Sequence, residues 1–219
     1  MAVALLITAV AGFGRSYFFK PVLASPPLSP LLHLHGIVFT AWLVLLIVQS
    51  GLIRAHRVDL HKRLGIAGAV LAAAMVVLGI MVAVTAARHG KSAGGLAPLA
   101  FMIFPFGQTV MFGGFVGVGL WKRRQPELHR RLILLGSITL MTPAISRLVH
   151  EQAVLASLLT LIFVVVAMFH DWRSRRRVHP LYIVGFLILL LSGPGRAALA
   201  ETPVWQNFAQ WLVGSGPVN

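Results

Sequence analysis

"VDLHKRLG" (Val58–Gly65) lies between two long apolar runs, and "PELHRRL" (Pro126–Leu132) lies between two more. Each stretch places an acid, a histidine and two bases where the flanking sequence has almost no charge. An acid followed closely by bases marks the start of a helix: the carboxylate is favoured at the positive end of the helix dipole. The bases can then reach anionic lipid heads. Both stretches are therefore expected to be entries into helices that leave the same side of a membrane. That places the chain among polytopic helical proteins.

Composition supports this. Of 219 residues, 58% are hydrophobic and only 11% charged, with mean hydropathy +0.85. A soluble domain carries roughly 25% charged residues, and a fold of this length could not hide so much apolar surface from water. The net charge of +14 would suggest nucleic acid in a soluble protein. Here the bases fall between apolar runs, so no nucleic-acid partner is expected and the lipid bilayer is. Cysteine is absent, which excludes disulfides, iron–sulfur clusters and thiolate zinc sites.

A bilayer core needs about 20 mostly apolar residues per helix. The expected fold is an all-α membrane bundle of about seven transmembrane helices, with spans near residues 1–19, 31–53, 64–87, 96–121, 132–149, 153–169 and 180–193. The first run has no basic n-region, so it is read as a span and not as a secretory signal. Alternate loops hold 13 of the 19 Lys and Arg residues, and the positive-inside rule then puts the amino terminus inside. "SPPLSP" (Ser25–Pro30) reads as an extended outer connection. Near residues 203–213, Trp205, Phe208, Trp211 and Leu212 recur at helical spacing, as in an amphipathic helix on the outer leaflet.

The nine histidines cluster at span ends. His56, His61, His129, His170 and His179 are expected on the inner side, and His33, His35, His89 and His150 on the outer. Two layers of imidazole are the pattern of a two-haem transmembrane cytochrome, in which facing helices each give one neutral imidazole to b-type haem. The candidate haem residues are His35 and His150 outside, with Arg147 as a propionate clamp, and His61 and His129 inside. Arg147 could equally close an ion pair with Glu151 one turn on. An alternative to haem is a transition-metal site from His61, His129, His170, Asp171 and His179, a donor set suited to zinc, iron or copper. The plain alternative to both is histidine at headgroup depth.

His35, Trp42 and Gln49 lie at steps of seven and share one face of a helix. With Gln108 they could line a quinone or small-ligand pocket, or they could hydrogen-bond helices together. The chain has no P-loop, dinucleotide fingerprint, nucleophile elbow or H-E-x-x-H.

The blocks "FKPVLASPPLSPLLHLHGIVFTAWLVLLIVQSGLI", "VDLHKRLGIAGAVLAA", "PELHRRLILLGSITLMTPAISR" and "HDWRSRRRVHP" resemble an uncharacterised family of bacterial multi-helix inner-membrane proteins. The resemblance covers nearly the whole chain. It implies a bacterial inner-membrane location and names no activity. The family's recurring polar positions would correspond to His35, Trp42, Gln49, His61, Arg63, His129, Arg131, Arg147, His170, Asp171 and His179. The expected function is a histidine-based redox or electron-transfer protein, with a quinone or a membrane protein as partner. The rival is a non-enzymatic assembly factor or a small-solute transporter, for which Gln49 with Gln108 would be the mid-membrane site.

Overall fold

A computed structural model describes residues 1–20 and 27–214, and among them it is all helical, with no strand. The helices are α1 (Ala2–Phe13), α2 (Pro30–Arg54), α3 (Val58–Arg88), α4 (Pro98–Trp121), α5 (Pro126–Thr139), α6 (Thr142–Leu148), α7 (Ala153–Arg175), α8 (Pro180–Ala200) and α9 (Pro203–Val213). Six segments are long and apolar enough to cross a bilayer, with α5 and α6 together counting as one. The chain is a multi-pass membrane bundle. The first apolar segment, Ala2–Phe18, is shorter than these six and ends in a π-helical turn at Gly14–Phe18. Residues 25 and 26 of the expected outer connection lie outside the described residues; beyond them Ser29 caps α2, with Pro30 at its first position.

Span boundaries move for physical reasons. The third span starts at Val58 and not near residue 64, so "DLHKRL" forms the first turns of α3 with Asp59 beside the amide-rich end. The sixth runs past residue 169 to Arg175, where Arg176 stops it in a left-handed conformation at φ 56°. The last continues through Pro194 to Ala200.

The fifth span, expected to be continuous, breaks at Leu140–Met141. Pro143 is the cause, because a proline has no N–H to give the carbonyl four residues back, Thr139. That freed carbonyl accepts the Nε2–H of Gln108 from α4 instead. The polar group in one helix thus answers the proline in the next.

α4 and α5 stand at the centre. α4 packs against α3, α5, α8 and α9, while α5 also meets α7 and α8. Phe112, Val116, Leu135 and Ile138 are buried where they meet. α1 lies against α2 and α6, and at Gly12 the backbone comes so close to the Ala144 carbonyl that a Cβ would collide with it. α9 differs from the expected surface helix: it seats Trp205, Ala209 and Val213 in the bundle. The Trp205 Nε1–H donates to the Leu99 carbonyl at 2.8 Å, and Arg88 Nε donates to the Val213 carbonyl at 2.8 Å. Trp211 alone of the two tryptophans stays outside, 74% exposed.

Because the obstacle at Gly12 is backbone, a side chain there cannot be accommodated by a rotamer change. Gly12→Leu should detach α1 and cost about 1–3 kcal/mol. Hydrogen exchange over residues 2–18 would then quicken while α4 and α5 stay protected; unchanged exchange would contradict the close approach.

Candidate functional site

The three basic loops meet at one end of the bundle. His61 at the start of α3 reaches His129 at the start of α5, and Arg175 at the end of α7 reaches Glu127 of α5. α3 and α5 each pack on α4, so the two imidazoles meet over the end of that helix.

Their ring centres are 6.4 Å apart with planes at 85°. His129 Nδ1 lies 2.8 Å from the Gly119 carbonyl. A carbonyl only accepts, so Nδ1 carries the proton and Nε2 keeps its lone pair free for a ligand. Metal-ligating histidines are held in this way, by a second hydrogen bond to backbone. On the other side, His61 Nδ1 is buried without a partner among the described residues, and so is Gln49 Oε1. Gln49 Nε2 meanwhile donates to the His61 carbonyl at 3.3 Å. Buried polar atoms are normally paired, and these two adjoining residues each keep one atom without a protein partner among the described residues.

Two imidazoles on opposite sides of one iron, each bonded near 2 Å, have ring centres about 6 Å apart. The centre-to-centre spacing of His61 and His129 fits that. Exposed Lys62 and Arg63 directly follow His61 in the chain, and exposed Arg123 and Arg124 lie in the loop just before His129, bases of the kind that pair with propionates.

The five-residue metal set does not assemble. No group of three His, Asp or Glu side chains is placed to hold an ion among the described residues. Asp171 is engaged elsewhere: it takes Arg131 Nε at 3.0 Å and Arg131 Nη2 at 2.8 and 2.6 Å. His170 is exposed. His179 caps α8, its Nδ1 accepting from the Leu181 N–H at 3.1 Å, which requires the neutral ring. Burial and the nearby Arg131 push its pKa below the ordinary value. The cap is thus fully present above pH 6.5 and is lost as pH falls through the lowered value.

Arg131, expected to reach lipid heads, is wholly buried. Besides Asp171 it binds Glu127 through Nη1, at 2.6 Å to Oε2 and 2.8 Å to the carbonyl. Glu127 also pairs with Arg130 at 3.0 Å and Arg175 at 2.6 Å, and the Tyr182 ring lies 5.5 Å from the guanidinium. The roles of Glu127, Arg175 and Tyr182 were not read from the sequence. A signal existed: Asp171 is a lone acid just inside a run of arginines, and a carboxylate there needs a cation.

The outer candidates do not converge. His35 stacks on Phe39 at 3.9 Å, its Nδ1 buried without a partner among the described residues. His150 is exposed in the α6–α7 connection with φ 54°. Arg147 does not pair with Glu151: it donates to the Pro143 carbonyl at 2.8 Å and sits 4.5 Å over the Phe13 ring. Glu151 accepts from Ser146 at 2.9 Å instead. Trp42 and Gln108 are buried and engaged, Trp42 Nε1 donating to Ser137 Oγ at 3.1 Å. They fasten helices together. Gln49 belongs with His61.

The chain matches no family model, no curated protein and no solved structure.

Removing one partner of a buried pair leaves an uncompensated charge, which costs roughly 3–5 kcal/mol, whereas replacing both with apolar residues is often neutral. Asp171→Leu should therefore lower the thermal midpoint in detergent sharply, and Arg131→Met/Asp171→Leu should recover most of the loss. A double variant as unstable as the single would contradict the pairing.

Proposed function

We propose that this chain is an electron-transfer protein of the bacterial inner membrane, holding one b-type haem between His61 and His129. The observation that carries the reading is the meeting of these two imidazoles at 6.4 Å. The hydrogen bond to Gly119 puts the proton on His129 Nδ1 and leaves Nε2 a lone pair, and His61 Nδ1 has no protein partner among the described residues. The bases of the same end would neutralise propionates, and by the positive-inside rule that end faces the cytoplasm and the amino terminus lies inside. Bound there, haem supplies one-electron chemistry, and a quinone or a membrane protein is the partner this implies. Only one haem is proposed, since His35 and His150 are not brought together. A solute path through Gln49 and Gln108 is the weaker reading, because Gln108 is tied to Thr139.

The test is the absorption spectrum and pyridine haemochrome of protein purified from haem-replete cells, with metal analysis. The parent should carry about one haem per chain. His61→Ala and His129→Ala should each lose it, while His35→Ala and His170→Ala keep it. A parent free of porphyrin, or two histidine variants that fold and retain it, would overturn the assignment. Stoichiometric metal without porphyrin would replace haem by an ion held between the two rings.

A further inference from the structure

Below the arginines at the end of α7, an apolar groove of about 340 Å³ opens between α7 and α8, lined by Val165, Met168, Phe169, Trp172, Val178 and Phe186. Phe169 and Trp172 are tilted at 37° to each other with ring centres 5.8 Å apart and stand about half exposed, as does Val165. On the helix, Val165, Phe169 and Trp172 fall at i, i+4 and i+7, one continuous stripe. The next residue of that stripe, four beyond Phe169, is Arg173. Arg177 adjoins Val178 of the groove wall, and Arg176 precedes it at the left-handed cap.

The four arginines of this loop divide in two. Arg175 turns inward onto Glu127 at 2.6 Å. Arg173, Arg176 and Arg177 are exposed and make no salt bridge among the described residues. Three free cations thus stand at the mouth of a slot with an apolar lining. Trp172, the amphipathic ring typical of a headgroup boundary, stands between the two zones.

We infer that this groove is a binding site for an anionic phospholipid, with one acyl chain against Phe169, Trp172 and Phe186 and its phosphate held by Arg173, Arg176 and Arg177. The whole bundle is bathed in lipid; what distinguishes this place is the alignment of an apolar slot with uncompensated positive charge. A zwitterionic lipid fits the slot equally well but brings its own cation to the arginines. The site therefore selects by headgroup. It lies apart from His61 and His129, so it stands or falls independently of the haem assignment.

The experiment is native mass spectrometry of the full chain in detergent, titrated with phosphatidylglycerol or with phosphatidylcholine of the same chains. Phosphatidylglycerol should bind about tenfold more tightly or better. Arg173→Gln/Arg176→Gln/Arg177→Gln should bring the two lipids to near parity. Arg54→Gln/Arg57→Gln/Lys122→Gln, with the same loss of charge in the other two basic loops, should keep the preference. Val165→Trp, a change at an exposed position that fills the slot, should weaken both lipids. As a second readout, phosphatidylglycerol brominated in its acyl chains should quench the parent's fluorescence more than brominated phosphatidylcholine does, and Trp172→Phe should remove that excess. Equal binding of both lipids by the parent would overturn the site. An equal effect of the two triple variants would also overturn it, since net charge alone would then explain the preference. Unchanged binding by Val165→Trp would reject the groove as the seat of the chain.

Discussion

The burial of Arg131 is the constraint around which one end of this bundle is arranged. A guanidinium removed from water is costly unless every N–H is met. Three elements supply what it needs: Asp171 from α7, Glu127 from its own helix, and the Tyr182 ring from α8. α7 and α8 are thereby tied to α5 at a level where lipid offers no directional glue. Glu127 extends the tie outward to Arg175, so the charge network also fixes where α7 ends. What reads as a repeated surface motif is, in its second copy, the anchor of three helices.

The two copies have parted in role. In the first, Asp59, Lys62 and Arg63 are exposed, and the motif acts as expected of a helix start at an interface. In the second, Arg131 has turned inward. The histidines of both copies nonetheless face one another, because α3 and α5 leave the same end and flank α4. The convergence of His61 with His129 is thus a product of topology: two like motifs, entered in the same direction, must bring like residues to one height.

How much of this was legible follows a physical divide. Apolar runs are long and the bilayer fixes their length, so the helices and their alternation could be read directly. The first segment and the break at Pro143 were less legible, since length alone cannot show that a proline four residues beyond Thr139 frees a carbonyl for Gln108. Arg131 could not be told from Arg130 by type; only the helical phase that points one inward separates them. Asp171 could be read as a metal ligand for the same reason, because its partner lies forty residues away in another helix. α9 has the amphipathic spacing of a surface helix, and its apolar face does not announce whether lipid or protein covers it; Leu99 and Arg88 decide that by offering hydrogen bonds. The fully closed polar contacts of Trp42 and Gln108 likewise depend on neighbours, Ser137 and Thr139, that no local pattern marks.

The buried pair also bears on how the chain is made. Pro126–Leu148 is the least apolar of the six spanning segments and the most deeply enclosed by its neighbours. It emerges from the ribosome before Asp171 exists, with Arg131 uncompensated and only Glu127 at hand. Partition into lipid is therefore least favourable for this segment while it is alone, and improves once α7 delivers its carboxylate. The energetics thus couple α5 to α7: the basic segment is best accommodated in lipid when the helix that carries its carboxylate lies beside it.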